Sequence, residues 1–329
     1  MTAGLGVSFE NPELEASVRA GVDAVEAALA VAVHSDDEFL SEVSRYATVG
    51  GKRFRPLLSV LSAHLGDPTR PEVVSAAVVI ELTHLATLYH DDVMDEAVMR
   101  HGTESANARW TNTVAILSGD FLFSRASDLL ADLGPAAVRM QAQTFARLVT
   151  GQLRETVGPR GGMDRTEHYL SVLADKTGSL IATAAQFGAM FAGAAPEVVD
   201  AARRFGEQIG VAFQLSDDLL DIVAETDASG KRPGTDLREG VATLPVLYAL
   251  RSTDPAEARL RELLSNPIEA ESEVAEALGL LRASPALTEA RRTVELYASR
   301  ARVELADIPD LPARQALDEL ATAVVVRTG

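Results

Sequence analysis

The residues with the clearest chemical potential are two clusters of aspartates. In the segment HDDVMD, Asp91 and Asp95 stand four positions apart, one turn from each other on a single helical face, with Asp92 on the flank. In FQLSDDLLD, Asp217, Asp218 and Asp221 repeat the same spacing. Like charges placed this way destabilise a bare helix. Both clusters end segments that are mostly apolar, so something must compensate them. Mg2+ is the natural candidate because it prefers hard oxygen ligands; because it rarely has an all-protein cage, a polyanion must complete its coordination shell. A diphosphate is the obvious polyanion. If the two helix ends face one cavity, six carboxylates surround it.

Basic residues accompany the acids in an order that suits two diphosphates. The string GGKRFRP puts Lys52, Arg53 and Arg55 in a Gly-rich turn leading into a helix whose N-terminal amides add positive potential. Arg100-His101-Gly102 follows the first aspartate cluster, Lys176-Thr177-Gly178 opens an uncharged segment, and Gly230-Lys231 follows the second cluster. Arg203-Arg204 and Arg291-Arg292 are equally basic and are expected on solvated faces.

These residues need long helices to position them, and the pattern supplies them. Apolar periodicity predicts helices over 12–33, 36–48, 55–65, 71–97, 112–131, 135–156, 164–192, 196–225, 243–251, 256–265, 269–282, 286–304 and 312–327. Breaks fall at Gly50-Gly51, Asp67-Pro68, Gly134-Pro135, Gly158 to Gly162, Ala195-Pro196 and Gly230 to Gly240. Asn11-Pro12-Glu13 reads as a helix start. No stretch alternates with period two over several strands. The expected fold is all-α, a large bundle around a deep central cavity, with residues 1–329 forming a single domain.

Composition agrees. Of 329 residues, 47% are apolar and only 5% aromatic, which suits helices better than a sandwich or barrel. Thirty basic against 48 acidic residues give a net charge of −18, which argues against nucleic acid as a partner. The absence of cysteine excludes disulfides, thiolate metal sites and Cys nucleophiles. The first basic residue is Arg19, so the N-terminus lacks the charged start of a secretory signal, and a cytoplasmic location is expected. From Gly178 to Pro196 there is no charge, but Ser179, Thr183 and Gln186 weaken its hydropathy. A buried central helix is expected there rather than a membrane span.

Taken in order, GGKRFRP, HDDVMD with RHG, KTGSL, FQLSDDLLD and GKRPGTDLREGVATLP resemble the trans-isoprenyl diphosphate synthases, the polyprenyl synthetase family, from about residue 20 to the C-terminus. The resemblance implies an all-α fold with a deep cavity and a homodimer. It also implies Mg2+-dependent head-to-tail condensation of isopentenyl diphosphate with an allylic diphosphate (geranyl, farnesyl or geranylgeranyl). By that resemblance Asp91, Asp92 and Asp95 form the first metal motif, with Asp91 and Asp95 as direct ligands. Asp217, Asp218 and Asp221 form the second, with Asp217 as its direct ligand. Lys52, Arg55 and His84 match the isopentenyl diphosphate site. Arg100, Lys176, Thr177, Gln214 and Lys231 match contacts to the allylic diphosphate. Two departures stand out. His101 replaces a second Arg that normally helps hold isopentenyl diphosphate, and Val241 stands where a Lys is common.

The implied chemistry needs no nucleophilic Ser or Cys. Cations neutralise charge on the leaving diphosphate, the double bond of isopentenyl diphosphate attacks the allylic cation, and water must be kept out. A class I terpene cyclase is the nearest alternative. The second DDxxD and the GGKRFRP string argue against it, and two complete aspartate motifs argue against an inactive regulatory subunit. Thr87 lies one turn and Thr83 two turns deeper than Asp91, with Ala86 beside them. In the resembling family, aromatic residues at the positions of Ala86 and Thr87 stop a product at fifteen or twenty carbons. Small residues here lead us to expect a long all-trans chain of thirty carbons or more, with release toward a membrane surface, over a short-chain farnesyl or geranylgeranyl product.

Overall fold

The computed structural model describes residues 8–100, 102–224 and 233–327. Asn11 caps the first helix by accepting the Leu14 amide at 2.9 Å, with Pro12 at the first helical position, as Asn-Pro-Glu predicts. The chain then runs through α1 (Pro12–Ala32), α2 (Glu38–Tyr46), α3 (Phe54–Ala63) and α4 (Pro71–Met94). A two-residue hairpin, β1 (Met99–Arg100) with β2 (Thr103–Glu104), is followed by α5 (Ala106–Arg109), α6 (Asn112–Leu133) and α7 (Pro135–Val157). Next come α8 (Arg165–Leu173), a π-helical turn (Ala174–Gly178), α9 (Ser179–Phe191) and α10 (Pro196–Val223). The remainder is α11 (Thr235–Glu239), α12 (Leu244–Arg251), α13 (Ala258–Leu263), α14 (Glu271–Ala283), α15 (Pro285–Glu304) and α16 (Pro312–Val326). The fold is all-α, as the periodicity predicts.

Several boundaries differ from the sequence reading, each for a local reason. The helix expected over 164–192 is three elements, because a π-helical turn inserts at Ala174–Gly178 without disturbing the apolar stripe. The helix expected to reach 97 stops at Met94, because Asp95 caps it and Glu96 turns left-handed at φ 50°. The segment expected helical from 256 begins as a 3₁₀ turn at Pro255–Glu257. The hairpin and the short helices α5 and α11 are too brief for any periodicity to announce.

The residues divide into two compact units. One comprises Met1–Ala146, Leu180–Gly206 and Glu304–Glu319. Its centre is α4, buried nearly all round from Val73 to Tyr89 and packed by α6, α3 and α1. A helix apolar on every side belongs in a core. This is also the one described helix long and apolar enough to cross a membrane, and 72% of its apolar window is buried in the protein. The uncharged segment from Gly178 contains α9, whose Ile181, Ala184, Ala185 and Phe187 are fully enclosed, so it too is a core helix. Arg204 does not sit on a solvated face as expected. Half-buried, it binds Asp200, Glu304 (2.5 Å) and Asp307 (2.6 Å).

The other unit comprises Arg147–Ser179, Glu207–Val303 and Leu320–Gly329. Leu215, Leu219 and Ile222 of α10 form its core with Leu244 and Val246 of α12, Leu263 of α13, Leu281 of α14 and Val294 of α15. The Ser216 hydroxyl donates to the Val324 carbonyl and Arg282 donates to that of Ile222, which anchors the aspartate-bearing end of α10.

In the first unit α3 and α9 approach at backbone contact. A Cβ on Gly188 would lie 2.0 Å from the Ser59 carbonyl oxygen, and Ser59 already donates to Ala184 O at 3.0 Å. Neither backbone can yield alone. Gly188→Ala is therefore expected to destabilise the protein by about 3 kcal/mol in urea unfolding. A loss below about 1 kcal/mol would show that α9 is free to shift.

Candidate active site

The first aspartate motif sits where α4 ends. Asp92 is buried, with 1% exposure, and Arg100 donates from Nε to its Oδ1 at 2.6 Å and from Nη2 to the same oxygen. Burial pushes the Asp92 carboxyl up; Arg100 opposes that, and the like charge of Asp95 adds to it. The hairpin supplies the arginine. After Glu96 the chain reverses, Ala97 N donates to Asp92 O at 2.9 Å, and Arg100 pairs with Thr103 across a turn at Gly102, φ 80°. The Tyr46 hydroxyl clamps the hairpin by donating to Glu104 O at 2.6 Å. Asp91 is half-buried and Asp95 exposed, so these two, rather than Asp92, present carboxylates outward.

The Gly-rich turn is as the sequence predicts. Gly50, Gly51 and Arg53 all have positive φ (80°, 83° and 50°), and α3 starts at Phe54. Lys52 is exposed and Arg55 half-buried. His84 lies half-buried on α4, two turns before Asp91. Deeper on α4, Ala86 and Thr83 are fully buried and Thr87 nearly so. The Thr83 hydroxyl donates to Val79 O at 2.8 Å and accepts from Gln141 Nε2 at 2.6 Å, so an amide from α7 occupies the level of Thr83. Gln141 Oε1 is buried with no hydrogen-bond partner.

The second motif ends α10. Asp218 is buried and accepts from the Tyr169 hydroxyl and from Gln214 Nε2 at 3.0 Å. Burial raises its carboxyl to about 6; the bonds from Tyr169 and Gln214 pull it down, and the charges of Asp217 and Asp221 push it up. Gln214 Oε1 also accepts from the Thr177 hydroxyl at 3.4 Å. Thr177 from KTGSL and Gln214 and Asp218 from FQLSDDLLD thus form one hydrogen-bonded chain. Arg327 donates to Asp217 Oδ1 at 2.5 Å and stacks 4.9 Å above the Phe213 ring. Asp221 accepts the Thr235 and Asp236 amides at 3.2 and 3.1 Å, capping the start of α11.

Lys176 and Thr177 ride on the π-helical turn. Gly151 of α7 makes room for it, since a Cβ there would lie 2.6 Å from the Lys176 amide nitrogen. Asp175 is gripped by Arg147 (3.0 Å) and Arg154 (2.9 Å), and Lys176 pairs with Glu155. His101 and Lys231 lie outside the described residues. Among the described residues no three carboxylate or imidazole groups converge into a ready-made metal cage. The donors are nevertheless hard, anionic oxygens, the set that suits Mg2+ once a polyanion contributes the remaining ligands.

Sequence reasoning missed Tyr169, Arg327 and the pair Arg53–Glu81. Glu81 carried a signal, a charge inside an apolar helix. Tyr169 and Arg327 carried none, because only the fold brings them to Asp218 and Asp217.

Comparison with known proteins agrees with this geometry. A family model described as polyprenyl synthetase matches residues 37–281. The chain is 52% identical over 330 residues to a nonaprenyl diphosphate synthase of Mycobacterium tuberculosis, covering 100% of this chain and 98% of that one. It is 34% identical over 317 residues to the octaprenyl diphosphate synthase of Escherichia coli, covering 96% and 97%. Among solved structures it resembles a geranylgeranyl pyrophosphate synthase from Corynebacterium glutamicum complexed with calcium and isoprenyl diphosphate. That match has a TM-score of 0.88 and 49% identity, covering 98% of this chain and 100% of that one.

The Tyr169 hydroxyl supports a buried carboxylate. Tyr169→Phe should cost about 2 kcal/mol in urea unfolding at neutral pH, the range for a hydrogen bond to a charged group. Unchanged stability would mean that Asp218 does not depend on that hydroxyl.

Proposed function

Because this chain belongs to the polyprenyl synthetase family of trans-prenyltransferases, we propose that it condenses isopentenyl diphosphate head-to-tail with a geranyl, farnesyl or geranylgeranyl diphosphate. Its product is a long all-trans polyprenyl diphosphate of thirty carbons or more, released with diphosphate. The observation that carries the reading is the duplicated aspartate motif, each copy ending a buried helix with one acid, Asp92 or Asp218, held inside by hydrogen bonds. The similarity to nonaprenyl and octaprenyl diphosphate synthases supports the long product. The calcium in the related structure supports a divalent cation, here Mg2+.

Asp91 and Asp95 would hold Mg2+ through the first motif, and Asp217 through the second. Asp92, Asp218 and Asp221 orient those helix ends. Bound there, Mg2+ supplies neutralisation of the charge that develops on the leaving diphosphate. Arg100, Lys176, Thr177, Gln214 and Lys231 bind the allylic diphosphate and keep it in register. Lys52, Arg55, His84 and His101 hold isopentenyl diphosphate with its double bond toward the reacting carbon, which supplies the orientation on which such a condensation depends. The apolar interior along α4 shields the cation from water. Exposed Ile116 and Leu117 on α6 support a homodimer, since adjacent apolar side chains left outside mark an association surface.

Incubating the purified protein with Mg2+, farnesyl diphosphate and labelled isopentenyl diphosphate should give a ladder ending at thirty carbons or more. A cyclised hydrocarbon or untouched substrate would refute the reading. Asp91→Ala and Asp217→Ala should each lower turnover at least about a thousandfold, with helix content unchanged by circular dichroism. Near-normal turnover in either would remove that motif from the reaction.

Product length has its own test. Ala86→Phe places a ring one turn below the motif and should shorten the product to twenty carbons or fewer while consumption of the allylic substrate continues. An unaltered product distribution would mean that the tail does not pass Ala86.

A further inference from the structure

Of the cations in GGKRFRP, Arg53 faces the protein rather than the solvent. Its side chain is 11% exposed, and every guanidinium nitrogen is engaged. Nε donates to Glu26 Oε1 at 2.5 Å, Nη1 to Glu81 Oε1 at 3.0 Å, and Nη2 to the Thr48 carbonyl. The planar fork of arginine can meet three acceptors at once, which a lysine cannot. The same residue is one of two non-glycine positions among the described residues with a positive φ. A left-handed arginine is unfavourable unless its surroundings over-determine it, and such strain collects at binding sites. Here the surroundings are Glu26, Glu81 and the Thr48 carbonyl. They hold a turn in which Gly50 and Gly51 are also left-handed, so the direction of Lys52 and the entry of α3 follow from the arginine's anchorage.

The anchor itself sits on the helix that carries the first aspartate motif. Glu81 is 3% exposed within an otherwise apolar stretch of α4. It precedes His84 by three positions, on the same helical face, and Asp91 by ten, about 15 Å along the axis. Burial pushes the Glu81 carboxyl up, and the charges of Arg53 and Arg55 pull it back. A carboxylate this deep is costly unless it serves both cations.

We infer that Glu81 and Arg53 are positioning residues for isopentenyl diphosphate: a buried brace that fixes the Lys52–Arg55 turn in register with His84 on α4. The inference rests on the proposed prenyltransferase reading, in which Lys52, Arg55 and His84 hold that substrate. Neither Glu81 nor Arg53 touches substrate. The brace acts on one of two substrates, so its loss should separate their Michaelis constants.

Steady-state kinetics on the full-length protein, with each substrate varied against the other at saturation, tests this. Arg53→Gly keeps a residue at ease at positive φ and removes only the fork. It should raise KM for isopentenyl diphosphate about tenfold or more, with kcat and KM for farnesyl diphosphate within about threefold. Glu81→Gln keeps one acceptor for Nη1 and should give a smaller rise in the same constant, a partial rescue relative to Glu81→Ala. The double variant Arg53→Gly/Glu81→Met removes both members of the Arg53–Glu81 pair together and guards against simple unfolding. It should melt close to the parent and still show the raised constant. The inference is overturned if KM for isopentenyl diphosphate is unchanged in folded Arg53→Gly. It is equally overturned if kcat falls and both constants rise together and all recover in the double variant, the signature of a purely structural ion pair. A parent protein that consumes no isopentenyl diphosphate overturns the underlying reading, and the inference with it; an active parent with unmoved constants overturns the inference alone.

Discussion

A carboxylate at the end of an apolar helix cannot remain ionised without a partner, and much of this structure answers that constraint. Asp92 is answered by Arg100, and the hairpin exists in the form needed to bring Arg100 back. Asp218 is answered by Tyr169 and Gln214, which tie the end of α10 to α8 and, through Thr177, to the π-helical turn. Asp221 is answered by the amides that begin α11, and Asp217 by Arg327 near the C-terminus. Four carboxylates thus recruit four different kinds of donor. Asp91 and Asp95 stay at the rim, half-buried and exposed. Asp92 and Asp218 are thus fixed inside their helix ends, while Asp91, Asp95 and Asp217 lie nearer the surface.

Close backbone packing gives these helix ends their precision. Gly188 lets α9 lie on α3, and Gly151 lets α7 lie on the π-helical turn at Lys176. Interiors packed to this density transmit small displacements rather than absorb them. π-Helical turns are rare irregularities that occur frequently at functional sites. Here it carries Lys176 and Thr177, with Asp175 held by two arginines.

Much of this was legible beforehand, for identifiable reasons. Repeated i, i+4 aspartates, Gly-Gly before Lys52, and Asn11-Pro12 are local signals whose physics acts within one or two turns, so they survive without tertiary information. The all-α class followed from periodicity sustained over long segments. What failed was non-local or aperiodic. The π-helical turn was invisible because one inserted residue leaves an apolar stripe almost unbroken. Arg203-Arg204 read as solvated because Glu304 and Asp307 are distant in sequence. Gln141 could not be seen against Thr83 for the same reason. The partners of Asp217 and Asp218 were equally out of reach, and they decide how those acids are held.

The central proposal is that the aspartates bind Mg2+ only together with a diphosphate. Calorimetric titration of Mg2+ into the intact protein, alone and then with an unreactive thio-analogue of farnesyl diphosphate, tests it most directly. Weak, unsaturated binding to the protein alone and tight, saturable binding once the analogue is present is the predicted result. Tight stoichiometric binding of Mg2+ without any diphosphate, or binding that the analogue leaves unchanged, would contradict it.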